Sequence, residues 1–342
     1  MPTTIKDIAK KLKLSEATVS RALSGKSIVN EDTRQRVILT AREMDYYSDK
    51  PTSVLSDKSK TIGLVLPEIH SNYYSQLISE IEGRLREKGF SIILGLTNFE
   101  DEIALHYLRL FANKKVDGII CEVNTTQEIL NTLRLLKDRY RIPTMLIGES
   151  FDDMYEDFDT IEINEEYGIT LAYNHLLSLG HKNIVMVGDA KSNSRCKIFE
   201  SCCKAQGIED PKKYIHTGEE RFELGGYLRM KEFLVQKERP TAVIATYDAC
   251  ALGAMRAIHE AGLEVPRDIS VIGVDNGREL PYYTPQLTSV KRIAEGLGES
   301  VTQMLVGIIR DSQSHMAFHL KIRPELVIRE STCPVVSPVN QK

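Results

Sequence analysis

The densest chemistry near the N-terminus lies in the run Leu14-Ser15-Glu16-Ala17-Thr18-Val19-Ser20-Arg21-Ala22-Leu23-Ser24-Gly25. Val19 and Leu23 stand four apart, so a helix here turns both inward and leaves Glu16, Ala17, Ser20 and Arg21 outward. A guanidinium displayed in this way matches the paired O6 and N7 acceptors of guanine in a major groove, and a carboxylate such as Glu16 can accept from cytosine N4. Ser15, Thr18, Thr33 and Arg34 are placed to hold phosphates. Thr4, Ser24 and Asn30 complete this polar set.

A second group of residues could grip a small molecule. Asp275 ends a strongly apolar strand, so its carboxylate should open into a cleft. Arg195 follows the loop after another such strand. A carboxylate and a guanidinium at the carboxyl ends of parallel strands bind hydroxyls through paired hydrogen bonds. Tyr73 can stack on a ring, and Ser71 and Asn164 can add hydrogen bonds. Each has a competing structural role: Tyr73 as lobe packing, Asp275 as the cap of a turn, Arg195 as an exposed side chain.

The elements around these residues fall into a helical head and an α/β body. In residues 1–47, Thr4-Ile5-Lys6-Asp7 has the form of a capping box with Asp in the usual Glu position. Ser15 caps a second helix that Gly25 ends, and Asn30 caps a third running from 31 to about 45. Ile8, Leu14, Val19, Leu23, Val37, Ala41 and Met44 suffice for one small core. Two short helices joined by a tight turn form a helix-turn-helix, which can seat its second helix in a major groove. Residues 48–60 are polar and interrupted by Pro51, and read as a linker. From 61 to 332, β-type runs at 61–66, 91–96, 116–121, 144–147, 184–188, 242–246 and 269–274 alternate with helical stretches. The first four recur at βαβ spacing, which predicts two doubly wound parallel-sheet lobes with a ligand cleft between them. Residues 333–342 form a short tail without leucine heptads, so no coiled-coil tetramer is expected.

The bulk numbers agree with this division. The whole chain of 342 residues carries a net charge of −4, yet residues 1–60 hold 12 basic against 8 acidic residues. A basic head on an acidic body implies that only the head meets a polyanion. No apolar run has transmembrane length and no hydrophobic leader opens the chain, so a cytoplasmic protein without membrane contact is expected. The six cysteines lack C-x-x-C spacing, and the eight histidines show neither triad nor metal spacing. There is no P-loop, G-x-S-x-G or H-E-x-x-H, and the glycines at 296 and 298 sit in a helical pattern rather than a strand-to-helix turn. Neither an enzyme nor a cofactor or metal is expected.

Thr18-Val19-Ser20-Arg21, Leu23-Ser24-Gly25 and Val29-Asn30-Glu31-Asp32-Thr33-Arg34-Gln35-Arg36-Val37 together resemble the LacI/GalR family of bacterial repressors. The resemblance extends through Lys115-Val116-Asp117-Gly118, Leu179-Gly180-His181 and Val265-Pro266-Arg267-Asp268-Ile269-Ser270-Val271-Ile272-Gly273-Val274-Asp275. It implies a body of periplasmic-binding-protein type and a homodimer on a palindromic double-stranded operator. It also implies control by a small-molecule effector, a sugar or related metabolite, contacted by Arg195 and Asp275. Tyr247 stands where several members carry a ligand-binding Asn, and Gly148 where some carry an acid. Lys13 stands where the family has a turn glycine, so a slightly different turn is expected. The linker lacks the family's Ala-Arg-x-Leu, so Leu55 serves as minor-groove wedge only in a shifted register. Two alternatives remain at this stage: a catabolite-control regulator whose co-regulator is a phosphocarrier protein, and a solute-binding protein.

Overall fold

The computed structural model describes residues 4–23, 29–44, 59–124, 126–151, 153–293, 295–310 and 315–335. Ser24, Gly25 and linker residues 48–58, including Leu55, lie outside the described residues.

The head is three helices, α1 (Ile5–Leu12), α2 (Glu16–Leu23) and α3 (Glu31–Glu43). The expected capping box closes the start of α1: Asp7 donates its N–H to the Thr4 hydroxyl, and its carboxylate accepts from the Thr4 N–H at 2.9 Å. Ser15 Oγ accepts the Thr18 N–H at 3.1 Å, and Asn30 Oδ1 accepts the Asp32 N–H at 2.9 Å. Ile8, Val19 and Val37 are fully buried at the centre, with Leu14, Leu23 and Met44 packed around them. Lys13 ends α1 in the left-handed conformation, with φ 55° and ψ 41°. The turn thus keeps the geometry a glycine would give it, and the lysine bears the strain instead.

The body is two six-stranded sheets, each layered between helices. The first takes β1 (Thr61–Leu66), β2 (Ser91–Leu96), β3 (Gly118–Cys121), β4 (Thr144–Gly148) and β5 (Asp159–Ile163). α4 (Asn72–Glu87), α5 (Asp101–Lys114) and α6 (Gln127–Asp138) connect them. The chain then passes to the second lobe through α7 (Glu165–Ser178), β6 (Ile184–Asp189), α8 (Asn193–Ala205), β7 (Ile215–Gly218) and α9 (Phe222–Leu234). β8 (Ala242–Ala245), α10 (Asp248–Glu260), β9 (Ser270–Val274) and β10 (Thr288–Lys291) follow. It returns to the first lobe for α11 (Leu297–Arg310) and β11 (His319–Ile322), and ends in the second with β12 (Glu325–Val327).

Strand orders are β11-β5-β4-β3-β1-β2 and β12-β10-β9-β8-β6-β7. Every pairing is parallel except β10 with β12. Central strands such as β3, β8 and β9 are buried along their whole length, as sheets covered on both faces require. The chain therefore crosses between lobes three times, after Ile163, Lys291 and Ile322. Sequence periodicity did not locate β5, β7, β10, β11 or β12, which are three to five residues long and lie near these crossings or at sheet edges. Residues 333–335 stay docked on the second lobe: Cys333 N–H donates to Ser270 Oγ at 3.1 Å, and Val335 N–H to the Leu179 carbonyl.

Close helix packing in the second lobe depends on glycine. A Cβ on Gly226 would lie 1.9 Å from the Cys250 carbonyl oxygen, and one on Gly253 the same distance from that of Glu223. α9 and α10 thus touch backbone to backbone.

Replacing Lys13 by Gly should stabilise the head by up to about 1 kcal/mol, because relief of the left-handed strain outweighs the added freedom of the unfolded chain. Hydrogen exchange at the Val19 and Val37 amides in the full chain measures this; unchanged or faster exchange would show that Lys13 carries no strain.

Candidate functional site

In the head, Glu16, Ala17, Ser20 and Arg21 all lie on the exposed side of α2, while Val19 and Ala22 are buried beneath them. Thr4, Ser15 and Asn30 are exposed and act as helix caps. Ser15 Oγ also lies 2.8 Å from Thr18 Oγ1. Thr33 and Arg34 lie half-buried at the start of α3, with Arg34 3.8 Å from Glu31. Hydrogen bonds from Thr4 hold the Asp7 carboxyl below its usual range, so it stays ionised at the positive end of α1.

In the body, a cavity of about 280 Å³ opens between the lobes. Glu68, Ser71, Tyr74 and Glu122 line it from the first lobe, and Arg195 and Tyr247 from the second. Its floor is a buried charge cluster at the crossings. Glu165, the first residue of α7 after the first crossing, accepts from Arg195 Nε at 3.1 Å and from Arg292 Nε. Arg292, the first residue after β10, also donates to Asp275 Oδ1 at 3.3 Å. Arg195 Nη1 donates to the Thr246 carbonyl. All four charged side chains are at most 5% exposed. Burial alone would push the Glu165 carboxyl up, but the two guanidinium groups overcome it and hold it below its ordinary value. Asp275 moves the other way, raised by burial despite Arg292.

The candidate ligand residues are thus placed as follows. Arg195 is buried, not a surface residue, and borders the cavity. Asp275 follows β9 with a φ of 113° and reaches the same cluster through Arg292; it borders a smaller neighbouring cavity rather than the main one. Tyr73 is 1% exposed, with the Arg292 guanidinium 3.9 Å from its ring centroid. That ring face is therefore occupied by the chain itself, and Tyr74 lines the cleft in its place. Ser71 caps α4 by accepting the Tyr74 N–H and lines the cavity. Asn164 caps α7 at the first crossing, accepting the Tyr167 N–H at 3.0 Å. Tyr247 lines the cavity, with the Arg195 guanidinium 5.1 Å from its ring.

Sequence reading missed Glu122, Glu165, Arg221 and Arg292. Glu165 looks like an ordinary first-turn acid, and Arg292 like the end of a strand; only knowledge of the crossings joins them. Glu122 accepts from the Tyr74 hydroxyl at 2.6 Å and the Tyr73 hydroxyl at 3.2 Å. Burial, reinforced by nearby Glu149, lifts its pKa to about 7 against the opposing pull of the two tyrosines and Arg292. Gly148 is followed by Glu149, which returns a carboxylate to the wall where the resemblance had led to a missing acid. Among the described residues, no group of His, Cys, Asp or Glu side chains is arranged to hold a metal, and no helix is long and apolar enough to cross a membrane.

Comparison with known proteins agrees with both parts. Residues 4–49 match the family described as bacterial regulatory proteins, lacI family, and residues 173–332 match a periplasmic binding protein-like domain. The HTH-type transcriptional repressor PurR of Erwinia tasmaniensis is 34% identical over 335 residues, covering 96% of each chain. That of Salmonella paratyphi B is 34% identical over 341 residues with the same coverage. Among solved structures, the lac repressor dimer bound to operator and the anti-inducer ONPF superposes with a TM-score of 0.78 at 24% identity, over 97% of this chain and all of that one. A LacI family regulator from Enterococcus faecium with bound ribose gives 0.69 at 27% identity, over 81% of this chain and all of that one. With a helix-turn-helix head, a two-lobed body and full-length relatives at this identity, the chain belongs to the lacI family of bacterial regulatory proteins and is a DNA-binding transcriptional regulator.

Proposed function

We propose that the protein is a homodimeric cytoplasmic repressor, not an enzyme, whose affinity for a palindromic operator is set by a small-molecule effector, a sugar or related metabolite, held between the lobes. The observation that carries this reading is the cavity itself: it is walled by both lobes and floored by charged residues at the chain crossings. A ligand there touches the two bodies whose relative rotation would reposition the heads. Arg195 contacts the ligand directly. Glu165, Arg292 and Asp275 orient Arg195 and one another. Ser71, Tyr74 and Tyr247 supply hydroxyls, and Tyr73 and Asn164 support the site from outside.

On the DNA side, Arg21 reads a guanine, with Glu16, Ala17 and Ser20 beside it, and Thr4, Ser15, Thr18, Asn30, Thr33 and Arg34 border the phosphates. Ser24 and Leu55 belong to the same proposed surface on sequence grounds alone. A twofold dimer presents two heads to two half-sites.

Three outcomes test this. Arg21→Ala should cost about 1–3 kcal/mol per half-site and bring specific and non-specific affinities closer together at fixed salt. An unchanged specificity ratio would remove Arg21 from the reading helix's base contacts. Arg195→Lys keeps the charge but loses the planar fork, and should weaken a responsive metabolite by about thirtyfold, or ~2 kcal/mol. Operator binding without ligand should stay as in the wild type; an equal ligand response in both proteins would mean that Arg195 only braces the crossings. Residues 59–342, without the head, should remain dimeric at micromolar concentration in light scattering. A monomeric mass would leave no preformed twofold reader.

A further inference from the structure

The cleft is bridged at one corner by a residue of the chain itself. Arg221 sits in the loop between β7 and α9, on the second lobe. Its Nη1 and Nη2 donate to the two carboxylate oxygens of Glu68, on the first lobe, at 3.0 and 3.2 Å. Its Nε donates to Asp189 Oδ2, at the end of β6, at 2.9 Å. The two carboxylates are 5% and 1% exposed, whereas Arg221 is 23% exposed. Three aromatic rings surround the guanidinium, with centroids at 5.3 Å for Phe99, 4.5 Å for Phe222 and 5.8 Å for Tyr247. Two buried acids and three rings around a planar cation make a built site, occupied here by a side chain.

That corner is continuous with the cavity, since Glu68, Phe99 and Tyr247 line both. Asp189 is fixed independently of Arg221. Its Oδ1 accepts from the Lys191 N–H and the Ser192 hydroxyl, both at 2.9 Å. The two arginines on the floor are themselves faced by three carboxylates, Glu165, Asp275 and, at 3.8 Å from Arg292 Nη2, Glu149. Elsewhere on the wall one cation, Lys191, stands against Glu100, Asp101 and Glu122, so that once Arg221 is displaced from Glu68 and Asp189 acids outnumber bases around a ligand. Arg221 stands at the N-terminal cap of α9, and the next residue, Phe222, takes a φ of 55°.

We propose that Arg221 is an intramolecular occupant of a cation subsite built from Glu68 and Asp189, and that the effector of this cleft is not a plain sugar but a related metabolite carrying a planar cationic donor group, guanidinium or amidinium, that replaces it. The inference rests on the cleft being the effector site. Replacement exchanges a lobe-to-lobe tie made by the chain for one made through the ligand, so binding is felt at the lobe boundary.

The probes are n-butylguanidinium and n-butylurea, which share a planar shape and differ in charge. Titration calorimetry is run on the full-length wild type, on Arg221→Ala and on Arg221→Ala/Glu68→Gln. A tethered side chain competes as if present at millimolar concentration or above. Butylguanidinium should therefore bind Arg221→Ala at least tenfold tighter than the wild type, and at least tenfold tighter than butylurea binds the same variant. The double variant should lose that preference, with near-wild-type circular dichroism and melting showing that it is folded. Equal affinity for the two probes, no binding to Arg221→Ala, or a preference that survives loss of Glu68 would each overturn the proposal. Operator binding is measured alongside. If the preference appears but no metabolite in a broad panel moves operator affinity, the subsite stands and the effector reading fails. If a metabolite moves operator affinity while the probes bind alike, the effector reading stands and the cation subsite fails.

Discussion

The pairing of Glu165 with Arg195 and Arg292 is the constraint on which the body depends. Two guanidinium groups with side chains at most 5% exposed are tolerable only with a carboxylate between them, and Glu165 is 4% exposed itself. Removing one member of such a cluster leaves an uncompensated buried charge, a loss of about 3–5 kcal/mol. The cluster spans two of the three crossings: Glu165 follows the first and Arg292 begins the second. Through Asp275 it fixes the end of β9, and through the Tyr73 ring it reaches α4 of the first lobe. The same contacts that hold the lobes in register therefore shape the floor of the cavity. A ligand touching Arg195 touches the structural centre of the body.

The head obeys different physics. Its core is a few apolar side chains around Val19 and Val37, too small to tolerate frayed helix ends. Thr4, Ser15 and Asn30 therefore satisfy the first N–H groups of the three helices. These residue types also suit phosphate contacts: the Asn30 amide and one hydroxyl proton of the Ser15–Thr18 pair can donate, whereas the Thr4 hydroxyl gives its proton to Asp7 Oδ2. Arg21 lies on the exposed side of α2. It stands outward on a short helix whose opposite side is sealed by Val19 and Ala22.

Local order was legible in the sequence wherever one segment decides the outcome. The three head helices, their caps and the seven strands of strongest β character follow from capping chemistry and apolar runs. The positive φ at Lys13 shows the limit of such reasoning. The glycine-free turn suggested altered geometry, yet Lys13 itself takes the left-handed conformation that a glycine adopts freely. The site was legible only in part. Arg195 and Asp275 announce themselves by standing just beyond apolar strands. Glu165, Arg292 and Arg221 do not, because their significance comes from partners 127, 17 and 153 positions away in sequence. Tyr73 shows the opposite failure: an aromatic residue near a cleft suggests ring stacking, whereas its face is taken by Arg292.

What crosses the lobe boundary is mostly polar: Arg221 with Glu68, Asn72 with Glu279, and Arg292 over Tyr73. The apolar clusters, by contrast, stay within single lobes. This division matters for a regulator. Shearing a well-packed apolar interface forfeits many small contacts at once. Ion pairs and hydrogen bonds at a wet cleft can instead be traded for others of similar strength, including those to water or to a ligand. Two lobe arrangements can then lie within a few kcal/mol of each other, as any ligand-driven shift between states requires. Two of the three chain crossings run through the buried cluster. A ligand with different contacts to the two walls would favour one lobe arrangement over another, which is all that a population shift requires.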